Sequence, residues 1–281
     1  MPVIAMTREM GSLGRDVAEG LAKELELKLI YHEIVDSLAE KMRMPQSAVL
    51  RCLQGKAKVL ERLRVDMNRL SLYTAEEVFD LAIQGNLMIR GWGATYLLRS
   101  VSHVVCVRLC APIELRAKRI MERMGIDDPA VALGEARRND AAHANAMQRR
   151  FAVNWDDPVH YDEVLNTGRF SVENCIDQIK DLLRLPTFQE TLQSRAHLAN
   201  LALSAHVSAA LKNNPETSRV RVSVEAGNNA DAGHLVLRGI VLHDNEKRLV
   251  EALASSVPGV RLVENQLRLM APRFIPKAHD G

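Results

Sequence analysis

Val3-Ile4-Ala5-Met6-Thr7-Arg8-Glu9-Met10-Gly11-Ser12-Leu13-Gly14-Arg15-Asp16 is the stretch that decides the fold. A β-type apolar run enters a glycine-bearing turn, and the turn leads into the helical pattern Val17-Ala18-Glu19-Gly20-Leu21-Ala22-Lys23-Glu24-Leu25. Strand, glycine turn and helix in that order aim backbone N–H groups and a helix N-terminus at a phosphate. The turn departs from the G-x-x-x-x-G-K-[ST] form, in which Lys reaches the β/γ-phosphates and a hydroxyl reaches Mg2+. Arg15 stands at the Lys position and Asp16 at the Ser/Thr position.

At 281 residues the chain has room for about two domains. Its 47% hydrophobic and 26% charged residues are ordinary for a globular protein. A net charge of +2 is too mild to point to nucleic acid as a partner. No apolar run approaches the roughly 18 residues of a membrane helix. Arg8 and Glu9 interrupt the first apolar stretch before it can serve as a signal sequence, so a cytoplasmic location is expected. Cys52, Cys106, Cys110 and Cys175 show neither C-x-x-C pairing nor zinc-finger spacing, and no metal site is expected from them.

Outward from the opening stretch, strands and helices alternate, which argues a parallel sheet with helical crossovers. Strands are predicted over 3–7, 87–90, 104–109 and 164–166. Between the first two lies a helical region over 33–84, with breaks expected near Pro45 and Thr74. It is rich in Arg51, Lys56, Lys58, Arg62, Arg64 and Arg69. Its length exceeds what a simple crossover requires, so it reads as a helical subdomain. Helices are expected from Pro112 to about Met124, over 131–151, and from Ser171 to Leu185-Pro186. The domain boundary is placed there: 1–186 as the first domain, 187–272 as the second, and 273–281 as a tail. The second domain reads helix, strand, strand, helix, strand.

Several constellations bear on chemistry. Gly11 and Gly14 permit close backbone approach, and Arg15 sets a permanent charge at the helix mouth. Arg116, Arg119 and Arg123 share one helix face, suited either to a polyphosphate or to a solvated face balanced by Glu114 and Glu122. The next helix offers Arg137, Arg138 and Asp140, then the neighbours Arg149 and Arg150, of which at most one aims at a ligand. Arg90-Gly91-Trp92-Gly93 follows a strand, at the carboxyl edge where open parallel sheets bind ligands. Asp156 and Asp157 read as a capping and turn network.

Taken together, these residues resemble the cytidylate kinase-like family of P-loop nucleoside monophosphate kinases. The matching runs are Thr7-Arg8-Glu9-x-Gly11-Ser12-x-Gly14-Arg15, Ile89-Arg90-Gly91, and Val107-Arg108-Leu109-x-Ala111-Pro112 with Arg116 and Arg119. Asp140, Trp155-x-Asp157-Pro158-x-x-Tyr161-Asp162 and Leu165-Asn166-Thr167 complete them. The resemblance spans about 3–185. It departs where Tyr31-His32-Glu33 follows the second strand-like run, and where His143 and Ala146 replace an Arg and an aromatic residue expected after Asp140. The second domain is similar to a BON domain through Leu237-Arg238-Gly239-Ile240-Val241 and Val257-Pro258-Gly259-Val260.

The resemblance implies a P-loop kinase-like sheet flanked by helices, plus a small α+β unit. It implies ATP with Mg2+ as phosphoryl donor and CMP or dCMP as acceptor. Gly11, Ser12, Leu13, Gly14, Arg15 and Asp16 would hold the donor phosphates, while Arg15, Arg116 and Arg119 act on the transferring group. Arg8, Arg90, Arg123, Arg137 and Asp140 would meet the substrate. Two other readings stand beside this one. In one, the chain is a nucleotide sensor that has lost catalysis and reports through the BON-like unit to a protein or membrane. In the other, it is a phospholipid-surface adaptor.

Overall fold

The computed structural model describes residues 1–58, 61, 63, 65–227 and 232–270. Arg62 and Arg64 of the basic insertion, part of the loop near Gly227 and the expected tail over 273–281 lie outside the described residues. The described chain forms two compact units, one from Met1 to Leu198 and a second beginning at Ala199.

The first unit is built on a five-stranded sheet in the order β2-β3-β1-β4-β5, parallel throughout. Its strands are β1 (Val3–Arg8), β2 (Lys28–Ile30), β3 (Leu87–Arg90), β4 (Val104–Cys110) and β5 (Glu163–Asn166). β1 lies at the centre, pairing Ile4 with Met88 on one side and with Val105 on the other. Ile4, Met6, Val105, Val107 and Leu109 bury one face against α1 (Gly14–Glu24) and α8 (Val172–Arg184). Val3, Ala5, Ile89 and Cys106, the alternate residues, are buried too, so both faces are covered. This explains why the central strands read as continuous apolar runs.

Four strands fall where the sequence places them. β2 was not among the expected strands: three residues at a sheet edge carry too little pattern. The helical insertion resolves into α2 (His32–Met42), α3 (Gln46–Leu53) and α4 (Met67–Gln84). Pro45 caps α3 as a break should, but Thr74 breaks nothing. It sits fully buried inside α4, its hydroxyl donating to the Leu70 carbonyl four residues back at 2.6 Å. A short α5 (Ala94–Leu97) precedes β4, and α6 (Ile113–Met124) and α7 (Pro129–Phe151) follow it.

The division between units falls twelve residues beyond the expected 186. Phe188 packs on the core of the first unit, the Met1 amine reaches Glu190 at 2.6 Å, and His197 Nε2 meets Ser100 Oγ at 3.1 Å. α9 (Leu192–Asn213) runs through the division, which is why no loop signal marks it.

The second unit has strands β6 (Arg221–Ala226), β7 (His234–Val241) and β8 (Leu262–Leu269), with α10 (Asp244–Ser256) between the last two. β6 and β7 are antiparallel, β7 and β8 parallel. Leu203, Val207 and Leu211 of α9 meet Leu235, Leu237, Val241, Val250 and Leu267 in its core. The order is the helix, strand, strand, helix, strand read from the sequence. No described helix is long and apolar enough to cross a membrane.

Candidate functional site

The turn between β1 and α1 folds back on itself. Ser12 donates to the Glu9 carbonyl through both its amide (3.2 Å) and its hydroxyl (2.8 Å). Gly11 sits at φ +84°, and a Cβ there would lie 2.7 Å from the Arg116 carbonyl oxygen, so only glycine fits. Leu13 takes the left-handed conformation at φ 56° as the helix N-cap, a strain that a non-glycine residue tolerates only when its surroundings impose it. The first backbone bond of α1 runs from Val17 N–H to the Leu13 carbonyl. The amides of Gly14, Arg15 and Asp16 therefore fall outside the helical ladder as the N-terminal donors that anions seek. Arg15 is half-exposed and pairs with Glu19 at 2.5 Å; Asp16 is exposed in the first turn.

Beneath the turn, Glu9 is a hub. Its carboxylate meets Arg108 Nη2 at 3.0 Å and Arg116 Nε at 3.2 Å, and accepts from the Ala111 amide at 3.1 Å. Arg116 is 5% exposed and fully engaged. It donates to the Ala111 and Met10 carbonyls and, through both terminal nitrogens, to Asp140 at 3.1 and 2.9 Å. Arg119 donates to the Gly11 carbonyl and twice to Thr167. Arg108 lies 4.0 Å over the Trp155 ring and donates to Asp156 at 2.6 Å.

The expected three-arginine face on α6 thus divides. Arg116 and Arg119 grip the turn's own carbonyls, because Asp140 and Glu9 supply acids that helical spacing does not reveal. Arg123 is exposed, close enough for Arg8 and Arg90 to feel its charge. Arg137 is exposed on α7 and lies apart from these contacts. Asp156 does more than shape a turn, since it also pairs with Arg108.

Beside the turn, at the carboxyl ends of β1 and β3, opens a cavity of about 180 Å3. Arg8, Arg90, Arg150, His143, Tyr31 and Trp92 line it, and no aspartate or glutamate among the described residues does. Nε and Nη1 of Arg90, and Nε and Nη2 of Arg150, are buried without a hydrogen-bond partner among the described residues. Burial, followed by the neighbouring charge of Arg90, pulls Arg8 below the usual guanidinium value. Burial also lowers Arg90, and brings Arg150 down to about 10. Burial, reinforced by Arg108, Arg150 and Arg8, holds His143 at about 4, so it is neutral near pH 7. Tyr31 stacks on Trp92 at 4.9 Å, accepts from its indole N–H through the backbone carbonyl, and carries Arg90 4.3 Å above its ring.

Arg8 and Arg90, expected to meet the substrate, both line this cavity. The sequence does not single out Tyr31 as a site residue, and of the neighbours Arg149 and Arg150 it is Arg150 that lines this cavity. The signal that separates that pair is a seven-residue step from His143, two helical turns along one face of α7.

A parallel sheet with a backbone-donor turn, and with cations at its carboxyl edge that are unpartnered among the described residues, defines an α/β protein whose carboxyl edge is strongly cationic. Residues 3–169 match the cytidylate kinase-like family, and the chain belongs to that family. Residues 200–271 match the BON domain. The chain is 27% identical over 106 residues to a cytidylate kinase of Methanocaldococcus jannaschii, covering 37% of this chain and 59% of that protein. A cytidylate kinase of Staphylothermus marinus is 25% identical over 112 residues, covering 38% and 60%. The chain thus spans about three fifths of the length of these curated relatives. An uncharacterised protein from Eubacterium ventriosum shares the fold at a TM-score of 0.52 and 20% identity, covering 65% of this chain and 98% of that one.

Proposed function

We propose that the first unit is a nucleotide-binding phosphotransferase that moves the terminal phosphoryl group of ATP to CMP, dCMP or a related nucleoside monophosphate. One observation carries the reading. Among the described residues, arginines with buried, unpartnered nitrogens line a cavity that holds no acid, directly beside a turn with backbone donors to spare. Buried charges are ordinarily paired, so such a cavity is built for an anion.

In this reading the Gly14, Arg15 and Asp16 amides, presented by the Gly11–Gly14 turn, hold the donor phosphates. Arg15 leaves Glu19 to join them, and Arg8 and Arg90 hold the acceptor phosphate. Arg116 and Arg119 keep the turn in shape, while Arg123 adds charge from the rim. The Asp16 carboxylate suits Mg2+, which takes one or two carboxylates together with substrate phosphates and water. When bound, that ion neutralises phosphate charge. Tyr31 and Trp92 offer an aromatic wall for the acceptor base.

A second reading is favoured by His143, neutral where the family resemblance calls for an arginine cation. On that reading the chain binds nucleotide without turnover, and the BON domain docks a protein or phospholipid surface. A coupled assay with ATP, Mg2+ and each nucleoside monophosphate separates the two. Turnover lost in Arg15→Met supports the transferase. Calorimetric binding without product supports the sensor, and no nucleotide binding at millimolar concentration overturns both.

A further inference from the structure

The outer face of the second unit's sheet carries an order of side chains that its own core does not require. Alternation along β7 puts Leu235, Leu237 and Val241 in the core, so Val236, Arg238 and Ile240 face the other way. The register sets their neighbours. Ile240 lies between Arg221 of β6 and Arg268 of β8, and Val236, four residues back, lies between Glu225 and Glu264. One end of the face thus carries two cations and the other two anions, about 13 Å apart at the rise of a strand. All four charged residues are exposed. Ile240 is 57% exposed and stands proud, whereas Val236 is 8% exposed and lies recessed. The same alternation carries β8 on to Met270, whose amide donates to the Val241 carbonyl at 2.9 Å. Met270 at one end and Leu262 at the other are both more than half exposed.

We propose that this face is the interface with a second copy of the chain, packed sheet on sheet about a two-fold axis that crosses the strands at the level of Arg238. Such an axis reverses the strand direction and sets each strand opposite its own copy. Arg221 and Arg268 then oppose the partner's Glu225 and the partner's Glu264. Ile240 enters the recess over the partner's Val236, and Met270 meets the partner's Leu262. The charges exclude the other face-to-face arrangement. A two-fold axis along the strands would set Arg221 against the partner's Arg268 and Glu225 against the partner's Glu264, like charge on like. Arg238, at the axis, is already paired with Glu225 of its own sheet at 3.4 Å, which offsets the approach of the two guanidinium groups. The pattern favours a second copy over other occupants. An acidic peptide or an anionic lipid surface would match the row of Arg221 and Arg268 but be opposed by the row of Glu225 and Glu264.

The test is sedimentation equilibrium on the full chain at micromolar concentrations, where the wild type should be a dimer. Arg221→Glu with Arg268→Glu in one variant makes both rows acidic, and Glu225→Arg with Glu264→Arg in another makes both rows basic. Each variant alone should dimerise about 100-fold or more weakly than wild type, because like charges now face each other. Mixed in equal amounts, the two should associate with each other as tightly as the wild type does, which also shows that both are folded. If either charge variant fails to melt cooperatively, Ile240→Asp tests the same contact and should weaken the dimer, since its carboxylate would sit between the partner's Glu225 and the partner's Glu264. A monomeric wild type, including one that binds vesicles of anionic phospholipid instead, would overturn the proposal. So would a dimer that survives both charge variants or Ile240→Asp, or charge variants that stay apart when mixed.

Discussion

Lowering the pH from 7.5 to 5 should destabilise the first unit through one side chain, His143. Its imidazole lies 4.6 Å from the Trp155 ring, on which Arg108 also sits, and it lines the cavity with Arg8 and Arg150. A proton added there joins three cations in a space with few carboxylates, so burial and those charges depress its value from 6.5 to about 4. The unfolded chain takes up the proton near 6.5 and the folded chain does not until about 4. Stability is therefore complete above pH 6.5 and is lost as pH falls towards 4, by about 3 kcal/mol at about 1.4 kcal/mol per pH unit. At pH 5 the loss should be about 2 kcal/mol. Urea unfolding followed by tryptophan fluorescence reads this unit alone, since both tryptophans of the chain, Trp92 and Trp155, belong to it. His103 and His197 are depressed by burial and add in the same direction, while Asp162 and Glu163 are raised by burial and oppose them. The decisive quantity is thus the wild-type curve minus that of His143→Gln, which cancels the other groups. Two parallel curves between pH 7.5 and 5 would refute the burial of His143 among cations.

Three substitutions test the turn and its supports. Ala152→Gly should stabilise the protein by about 1 kcal/mol, read as a higher melting temperature, because exposed Ala152 closes α7 in the left-handed conformation at φ 56°. Gly11→Ala should cost about 2 kcal/mol or more in urea unfolding and weaken ATP binding, since strained φ adds to the clash with the Arg116 carbonyl. Asp140→Asn should cost about 2 kcal/mol, less than the 3–5 of a fully buried pair because Asp140 is a quarter exposed and Glu9 still faces Arg116. On the transferase reading, its kcat should fall with little change in KM for the acceptor, as the damage reaches the turn and spares the cavity.

Much of the fold was legible because the strongest patterns are local. Val3 to Thr7 is apolar on both faces, as a central parallel strand must be, and the glycine turn that follows admits few conformations. Gly125, left-handed at φ 64°, ends α6 where expected. The pattern failed where tertiary contacts overrode it. Lys28–Ile30 becomes a strand because β3 is there to pair with it. Thr74 stays helical because its hydroxyl finds the Leu70 carbonyl inside a buried helix. The boundary moved to Leu198 because Phe188 and Glu190 have partners distant in the chain.

The arginines show what spacing conveys and what it omits. Periodicity put Arg116, Arg119 and Arg123 on one face, and the structure keeps that neighbourhood. It did not foretell that Glu9 and Asp140 would neutralise Arg116 and that Thr167 would satisfy Arg119. The chain sorts its cations by where its acids lie. Arg108 and Arg116, close to Glu9, Asp140 and Asp156, hold the turn rigid. Arg90 and Arg150 have buried nitrogens without a hydrogen-bond partner among the described residues, which on the proposed reading leaves their charge for a ligand. A rigid turn and an uncompensated cavity are complementary requirements. Preorganised donors avoid reorganisation when charge shifts, and unpaired cations attract the anion that makes the shift useful. Because Glu9 touches both Arg108 and Arg116, Glu9→Gln should loosen the turn while leaving the anion affinity of the cavity within a few-fold of wild type. Calorimetry with CMP beside ATP titration would show that split, and an equal loss of both ligands would mean that the two arginine groups are not separate.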